Sequence, residues 1–293
     1  MTANQLINLL AAITLVEMMV TIGLGVTFAN VAGVAKRRGL VMRAALANYI
    51  FVPALAVALL LWFSPCPMVA AGFLLVAVCP GAPYGPPFTA LAKGNVVASV
   101  GLMVILAGSS AILAPLLLQF LLPLVTGDTL LTLNVTRMIG TLLGAQLLPL
   151  CVGLWLRHRY PVLAERLKKP ANQLSALLNL TTFTVIVMVQ LRMLREIRVA
   201  GYVGMLSLLL ATIAAGWLLG GRVRENRKGM VLTTSVRNVG VGLVIASSSF
   251  PGTAAITSAT AYALFQTIVM ALVALAWGRI KPAGICIVKK QAA

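Results

Sequence analysis

Acidic side chains are what this chain has least of. Five Asp and Glu stand against 23 Lys and Arg in 293 residues, and 10% of residues are charged, where a soluble domain has about 25%. Histidine occurs once, as His158 within a basic cluster, the setting of a solvated interfacial side chain. No nucleophile–base–acid set and no phosphate loop can be assembled, so enzyme chemistry is not expected. The four cysteines, Cys66, Cys79, Cys151 and Cys286, have no metal-ligand spacing, and Cys79 and Cys151 fall in apolar runs where a buried thiol is ordinary packing. No cofactor or metal is expected from these residues. What is abundant is apolar: 60% hydrophobic residues and a mean hydropathy of +1.02 define a polytopic, all-α membrane protein whose first partner is the lipid bilayer. The formal charge of +18 does not indicate nucleic acid, because the basic residues sit in short clusters between apolar runs.

Nine segments reach the roughly 20 residues needed to span a bilayer: Leu6–Asn30, Leu40–Phe63, Met68–Leu91, Val96–Leu122, Val135–Leu156, Ala171–Gln190, Val199–Gly220, Gly229–Phe250 and Ala254–Trp277. No soluble domain or long linker fits between them, so residues 1–293 read as one membrane domain. The first segment carries Glu17 with no Lys or Arg before it, which predicts a genuine span and not a cleaved signal peptide. With the N-terminus outside, 18 of the 23 basic residues fall in inside loops, including Lys36 to Arg43, Arg157 to Lys169, Arg222 to Lys228 and Arg279 to Lys290. That bias predicts N-terminus out and C-terminus in the cytoplasm. Arg192, Arg195 and Arg198 breach it, and read as a solvated helix extension or as an attractor of anions to an entrance.

Two segments cannot be plain helices. The third contains Cys79-Pro80-Gly81-Ala82-Pro83-Tyr84-Gly85-Pro86-Pro87, with four prolines and two glycines in nine residues. Each proline removes a donor and clashes with the preceding turn. The eighth contains Thr233-Thr234-Ser235-Val236-Arg237-Asn238-Val239-Gly240-Val241-Gly242, placing a guanidinium, an amide, three hydroxyls and two glycines at mid-membrane depth. Such backbone is tolerated only where protein or a water-lined cavity satisfies it, and a charge there marks function. If an ancestral first helix were missing, the broken segments would be the fourth and ninth of ten, in matching places of two five-helix halves. That is the signature of an inverted-repeat transporter with its site at the crossing.

These motifs resemble a known family. The stretch CPGAPYGPPFTALAKGN is similar to the first crossover of the bile acid:sodium symporter family, C-P-G-G-x-x-S-N-x-x-T-x-L-A-R-G-N, and TTSVRNVGVGLVIA to its second, E-x-G-x-Q-N-x-G-L-A. MMVTIGLGVTF, with Gly23 and Gly25, is similar to the family's second helix. ANYIFVPALA is similar to its third, with Asn48 where glutamine is common and Pro53 in place. The resemblance covers nearly the whole chain and fits a nine-helix variant lacking the first helix. It implies a panel of helices at about 6–30, 135–156 and 171–190, a core at about 40–122 and 199–277 with two broken helices crossing, and an organic anion substrate, usually moved with two sodium ions. The departures fall on the sodium ligands. Thr233 stands where the family has glutamate and Arg237 where it has glutamine. Gly85 and Pro86 replace a Ser-Asn pair, and Met103 replaces one of two hydroxyls whose other member is kept as Ser99. Sodium wants several hard oxygens, so the family's sodium pair is not expected here; Ser99 and Asn238 are the residual positions.

Arg237 admits three readings: a bidentate anchor for a carboxylate or sulfonate, a built-in cation at the sodium position, or a charge neutralised by Glu17 or by helix-end carbonyls. Glu17 could be its counter-ion or a proton-coupling group, or could lie near the outer interface. Asn238, Ser235, Thr233, Thr234, Gly240, Pro80, Gly81 and Pro86 are candidates to line the crossover. Asn48, Gln266 and Thr267 lie on helices expected beside it. The reading is a secondary transporter or facilitator of a bile-acid-like, keto-acid or pantoate-like anion, working by alternating access without the two-sodium mode. The alternatives are a sodium-coupled symporter and a non-transporting membrane receptor or scaffold.

Overall fold

The computed structural model describes residues 3–127 and 133–279; Cys286 and the basic residues Lys281, Lys289 and Lys290 lie outside the described residues. Twelve helices follow one another: α1 Ala3–Gly25, α2 Phe28–Ala35, α3 Arg38–Phe63, α4 Pro67–Ala77, α5 Gly85–Leu91, α6 Val96–Thr126, α7 Val135–Arg159, α8 Pro161–Arg195, α9 Val199–Leu219, α10 Arg224–Ser235, α11 Val239–Ser249 and α12 Ala254–Arg279. Among the described residues, eight spans are long and apolar enough to cross a membrane, α10 and α11 counting as one; the short α4 and α5 form the remaining, interrupted segment. The protein is a multi-pass, all-helical membrane protein.

Local chemistry explains the interruptions. α4 stops at Ala77, and residues 78–84 run as an irregular link through Pro80 and Pro83. Pro86 and Pro87 fall in the first turn of α5, where a missing N–H costs nothing. Gly81 has φ +82°, and a Cβ there would sit 2.4 Å from the backbone nitrogen of Ala107 on α6, so both conformation and closeness require glycine. In α3 and α7 the turns before Pro53 and Pro149 widen into π-helix at Ala47–Phe51 and Leu143–Leu147. A proline that cannot donate one turn back relaxes the helix in this way. Each widened turn holds a fully buried amide, Asn48 and Gln146.

Two boundaries differ from the sequence expectation. The first segment ends at Gly25, and Thr27 begins a separate short helix by accepting the Asn30 N–H at 3.2 Å. The basic stretch from Arg157 to Lys169, expected as a loop, is largely helix, since α8 starts at Pro161 and carries Arg166, Lys168 and Lys169 along its first turns. Glu165 offsets part of that charge, 2.5 Å from Arg157 and 3.8 Å from Lys168.

Packing relies on small residues, as it must where lipid removes the hydrophobic drive between helices. α1 runs along α7 and α8. Gly23 and Gly153 meet at the first contact, where a Cβ on Gly153 would lie 2.3 Å from the Val20 carbonyl oxygen. α4 lies against α12 and α6, α10 against α9, and α11 reaches α1, α4 and α12. The two interrupted segments are thereby enclosed: Val76, Ala77, Val78, Cys79, Val236, Arg237 and Asn238 are all buried.

Candidate functional site at the crossing of the broken helices

The second interruption begins where Val236 leaves α10 in extended conformation and ends where Asn238 caps α11, its side-chain oxygen accepting the Val241 N–H at 3.3 Å. Arg237 lies between and is buried to 1% exposure. Its side chain points into oxygens. Nη1 donates to Asn48 Oδ1 at 2.5 Å and to the Thr234 carbonyl at 3.3 Å, Nε donates to the Val76 carbonyl at 3.3 Å, and Nη2 donates to the Ala77 carbonyl. Val76 and Ala77 end α4 and Thr234 lies in the last turn of α10, so two carbonyl-bearing, negative helix ends converge on one guanidinium. Asn48 is held for this role, because its Nδ2 donates to the Ala44 carbonyl at 2.9 Å and to Thr234 Oγ1 at 3.3 Å, leaving its oxygen toward the arginine. Among the described residues no carboxylate pairs with Arg237. Glu17 instead accepts from Thr21 Oγ1 at 2.7 Å and Ser175 Oγ at 2.6 Å.

Neighbouring groups stitch the crossing. Asn238 N–H donates to the Cys79 carbonyl at 2.8 Å and its Nδ2 to the Gly81 carbonyl at 3.3 Å, tying the second link to the first. Gln266 of α12 brackets the Arg237 peptide: its Oε1 accepts the Arg237 N–H and its Nε2 donates to the Arg237 carbonyl, both at 3.2 Å. Thr233 and Ser99 are joined at 3.0 Å, and Thr89 Oγ1 donates to Ser99 Oγ at 3.0 Å. Ser235 Oγ is buried, with no hydrogen-bond partner among the described residues.

These contacts set what a cation would meet at the crossing. One place a cation could take, between the ends of α4 and α10, contains the Arg237 guanidinium, and a second positive charge there would meet direct repulsion. At the other, the hydroxyls of Thr89, Ser99 and Thr233 bond one another without a carboxylate, a poor set for a hard cation. Among the described residues, neither place offers a carboxylate oxygen.

Beside the crossing lies a narrow cavity with about 30 Å³ of room for water-sized occupants. One wall is Ala11, Thr14 and Met18 of α1 with Asn179, Thr182 and Phe183 of α8; the other is Pro83 and Tyr84 of the first link and Val236 to Gly240 of the second, with Gln266 and Thr267 beneath. The positive N-terminal end of α11 faces this space. Of the residues singled out from sequence, Arg237, Asn238, Gly240, Gln266 and Thr267 border the cavity, and Asn48 and Thr234 stand behind it around the guanidinium. Thr233 and Ser99 form the separate hydroxyl cluster. Pro80, Gly81 and Pro86 are buried and shape the first link. Thr14, Asn179, Thr182 and Tyr84 were not singled out from sequence; the helical spacing of Thr14, Met18 and Thr21 puts them on one face of α1 but does not say what that face meets.

The model of the sodium bile acid symporter family matches residues 12–197, well over half of the chain. The chain belongs to the sodium bile acid symporter family. It is accordingly a member of a family of membrane transporters. A comparison with curated proteins found no match. The family match covers the first interrupted segment and stops before α10. The second interruption, with Thr233 and Arg237, therefore lies outside the matched stretch.

Proposed function

We propose that this symporter-family protein moves an organic anion across the bilayer by alternating access, through the cavity at the crossing and without sodium bound there. The observation that carries the reading is the Arg237 cage. Its partners belong to α3, α4 and α10, so the lock is internal to the group of helices read as the core. The cavity is bounded on its other side by α1 and α8, members of the panel. A bond network within the core does not oppose rocking of core against panel, which argues for a carrier over a locked scaffold. Four of the five guanidinium N–H donors are already used inward, which argues for a fixed cation over a substrate anchor. The anion is then met by the N-terminal end of α11, by Asn238 and by the hydroxyls and amides of the opposite wall. The N-terminus lies outside and the C-terminus in the cytoplasm, following the excess of inside Lys and Arg.

The test is uptake by proteoliposomes of labelled cholate, pyruvate and pantoate, in sodium or choline chloride. Saturable uptake of at least one probe at equal rates in both salts is the expected outcome. In parallel, sodium leaves the melting temperature of the unaltered chain unchanged, while Arg237→Gln with Thr233→Glu acquires a sodium-dependent rise, since a ligand binding only the native state stabilises it. Sodium-stimulated uptake would return the protein to the two-sodium mode.

A further inference from the structure

The seam between α1 and α8 carries a ladder of polar side chains. At the cavity wall Thr14 and Thr182 share a hydrogen bond of 2.8 Å. One turn along, Asn179 Nδ2 lies 2.9 Å from Met18 Sδ and donates to the Ser175 carbonyl at 2.7 Å. Ser175 Oγ then donates to one oxygen of Glu17 and Thr21 Oγ1 to the other. Thr14, Met18, Asn179 and Thr182 all line the cavity, and Glu17 directly precedes Met18 on α1.

Glu17 is half-buried at the middle of a spanning helix, and no cation pairs with it among the described residues. Two hydroxyl bonds satisfy its oxygens without supplying a counter-charge. The helices packed on α1 offer little else that is charged. α11 contributes no titratable side chain, and α7 contributes exposed Cys151, with Arg137 near its start and Arg157, His158 and Arg159 at its end. Along α8, Lys168 approaches Gly25 and is shared with Glu165; Arg166 and Lys169 lie on the same early turns, and Arg192 and Arg195 end the helix. The first link places Tyr84 within electrostatic reach. The identity of the two bonded partners is the telling detail. A guanidinium or ammonium would hold Glu17 ionised, whereas a hydroxyl donates to a carboxylate and, after rotating, accepts from a carboxylic acid. Ser175 and Thr21 therefore accommodate both protonation states without moving a helix.

We propose that Glu17 is the proton-coupling group of this carrier, an inference that rests on the cavity being the anion site. On the acidic side Glu17 takes up one proton as the anion enters. The loaded carrier turns over, and the proton leaves with the anion on the alkaline side. One proton and one monovalent anion cross together, so no net charge moves.

The experiment uses the full chain in proteoliposomes with labelled cholate, pyruvate and pantoate, an alkaline interior and no sodium. A gradient of about one pH unit should support up to about tenfold accumulation of a transported monoanion, unaffected by a potassium diffusion potential. Glu17→Gln, nearly isosteric, should keep exchange of internal for external anion but lose accumulation. Transport driven by the potential and indifferent to pH, or Glu17→Gln accumulating as well as the unaltered chain, would overturn the proton assignment and leave the transport reading standing. Absence of both uptake and exchange for all three probes would remove the transport reading and this inference with it.

Discussion

Replacing Arg237 by methionine should lower the stability of the detergent-solubilised protein by about 3 kcal/mol, read as a fall in melting temperature and in folded yield. Two opposing terms set that figure. Methionine returns no donor to the carbonyls of Val76, Ala77 and Thr234 or to Asn48 Oδ1, and each buried acceptor left unpaired costs about 1 kcal/mol or more. Against this, the cost of holding a guanidinium away from water disappears. The unpaired oxygens should prevail because two negative helix ends, kept together by the charge between them, would then face each other directly. Arg237→Lys should fall between, since one ammonium keeps the charge but cannot span four oxygens in a planar fork. If the cage is what matters, Asn48→Leu and Arg237→Met should be less than additive in a double-mutant cycle, by about 0.5 kcal/mol or more. Strict additivity would mean that the arginine acts elsewhere.

Gly81→Ala should be comparably damaging, by about 3 kcal/mol, through geometry alone. The residue sits at φ +82°, which costs an alanine roughly 1 kcal/mol. The added methyl would also lie 2.4 Å and 2.6 Å from the Ala107 backbone nitrogen and Cα. Backbone cannot rotate away as a side chain can, so the link must lift from α6, straining the Asn238 Nδ2 bond to the Gly81 carbonyl. Gln146 makes retreat of α6 harder, because its Nε2 is bonded to the Ala107 carbonyl and to Ser110 Oγ. Loss of folded yield together with loss of uptake is the expected result. A well-folded Gly81→Ala that transports normally would show that the link has more room than its contacts indicate. Gly240→Ala is the control for folded yield, since a Cβ there meets Leu15 only at ordinary contact distance, 3.4 Å.

The crossover was visible in the sequence for a simple reason. A polar or proline-rich stretch inside a 20-residue apolar run has no satisfactory place in lipid, so Cys79–Pro87 and Thr233–Gly242 announce buried irregular backbone wherever they fold. Asn48 and Gln266 were legible only as polar residues on helices expected beside the crossover. Thr14, Thr182, Ser175 and Thr21 were not. An isolated hydroxyl in a membrane helix can bond its own preceding turn, so its presence says nothing about a partner.

By itself, then, the sequence determined that the chain spans a membrane many times, where its two interruptions fall and which charge lies between them, because bilayer thickness and backbone hydrogen bonding leave few alternatives. Only the tertiary structure decided what that charge is bonded to. Arg237 faces the carbonyl ends of α4 and α10 and the amide of Asn48, while Glu17 faces two hydroxyls on another seam. Carbonyl oxygen is carried by every residue, so no sequence pattern can mark which carbonyls will converge. That choice is made when two interrupted helices cross and leave their negative ends unsatisfied at the same point.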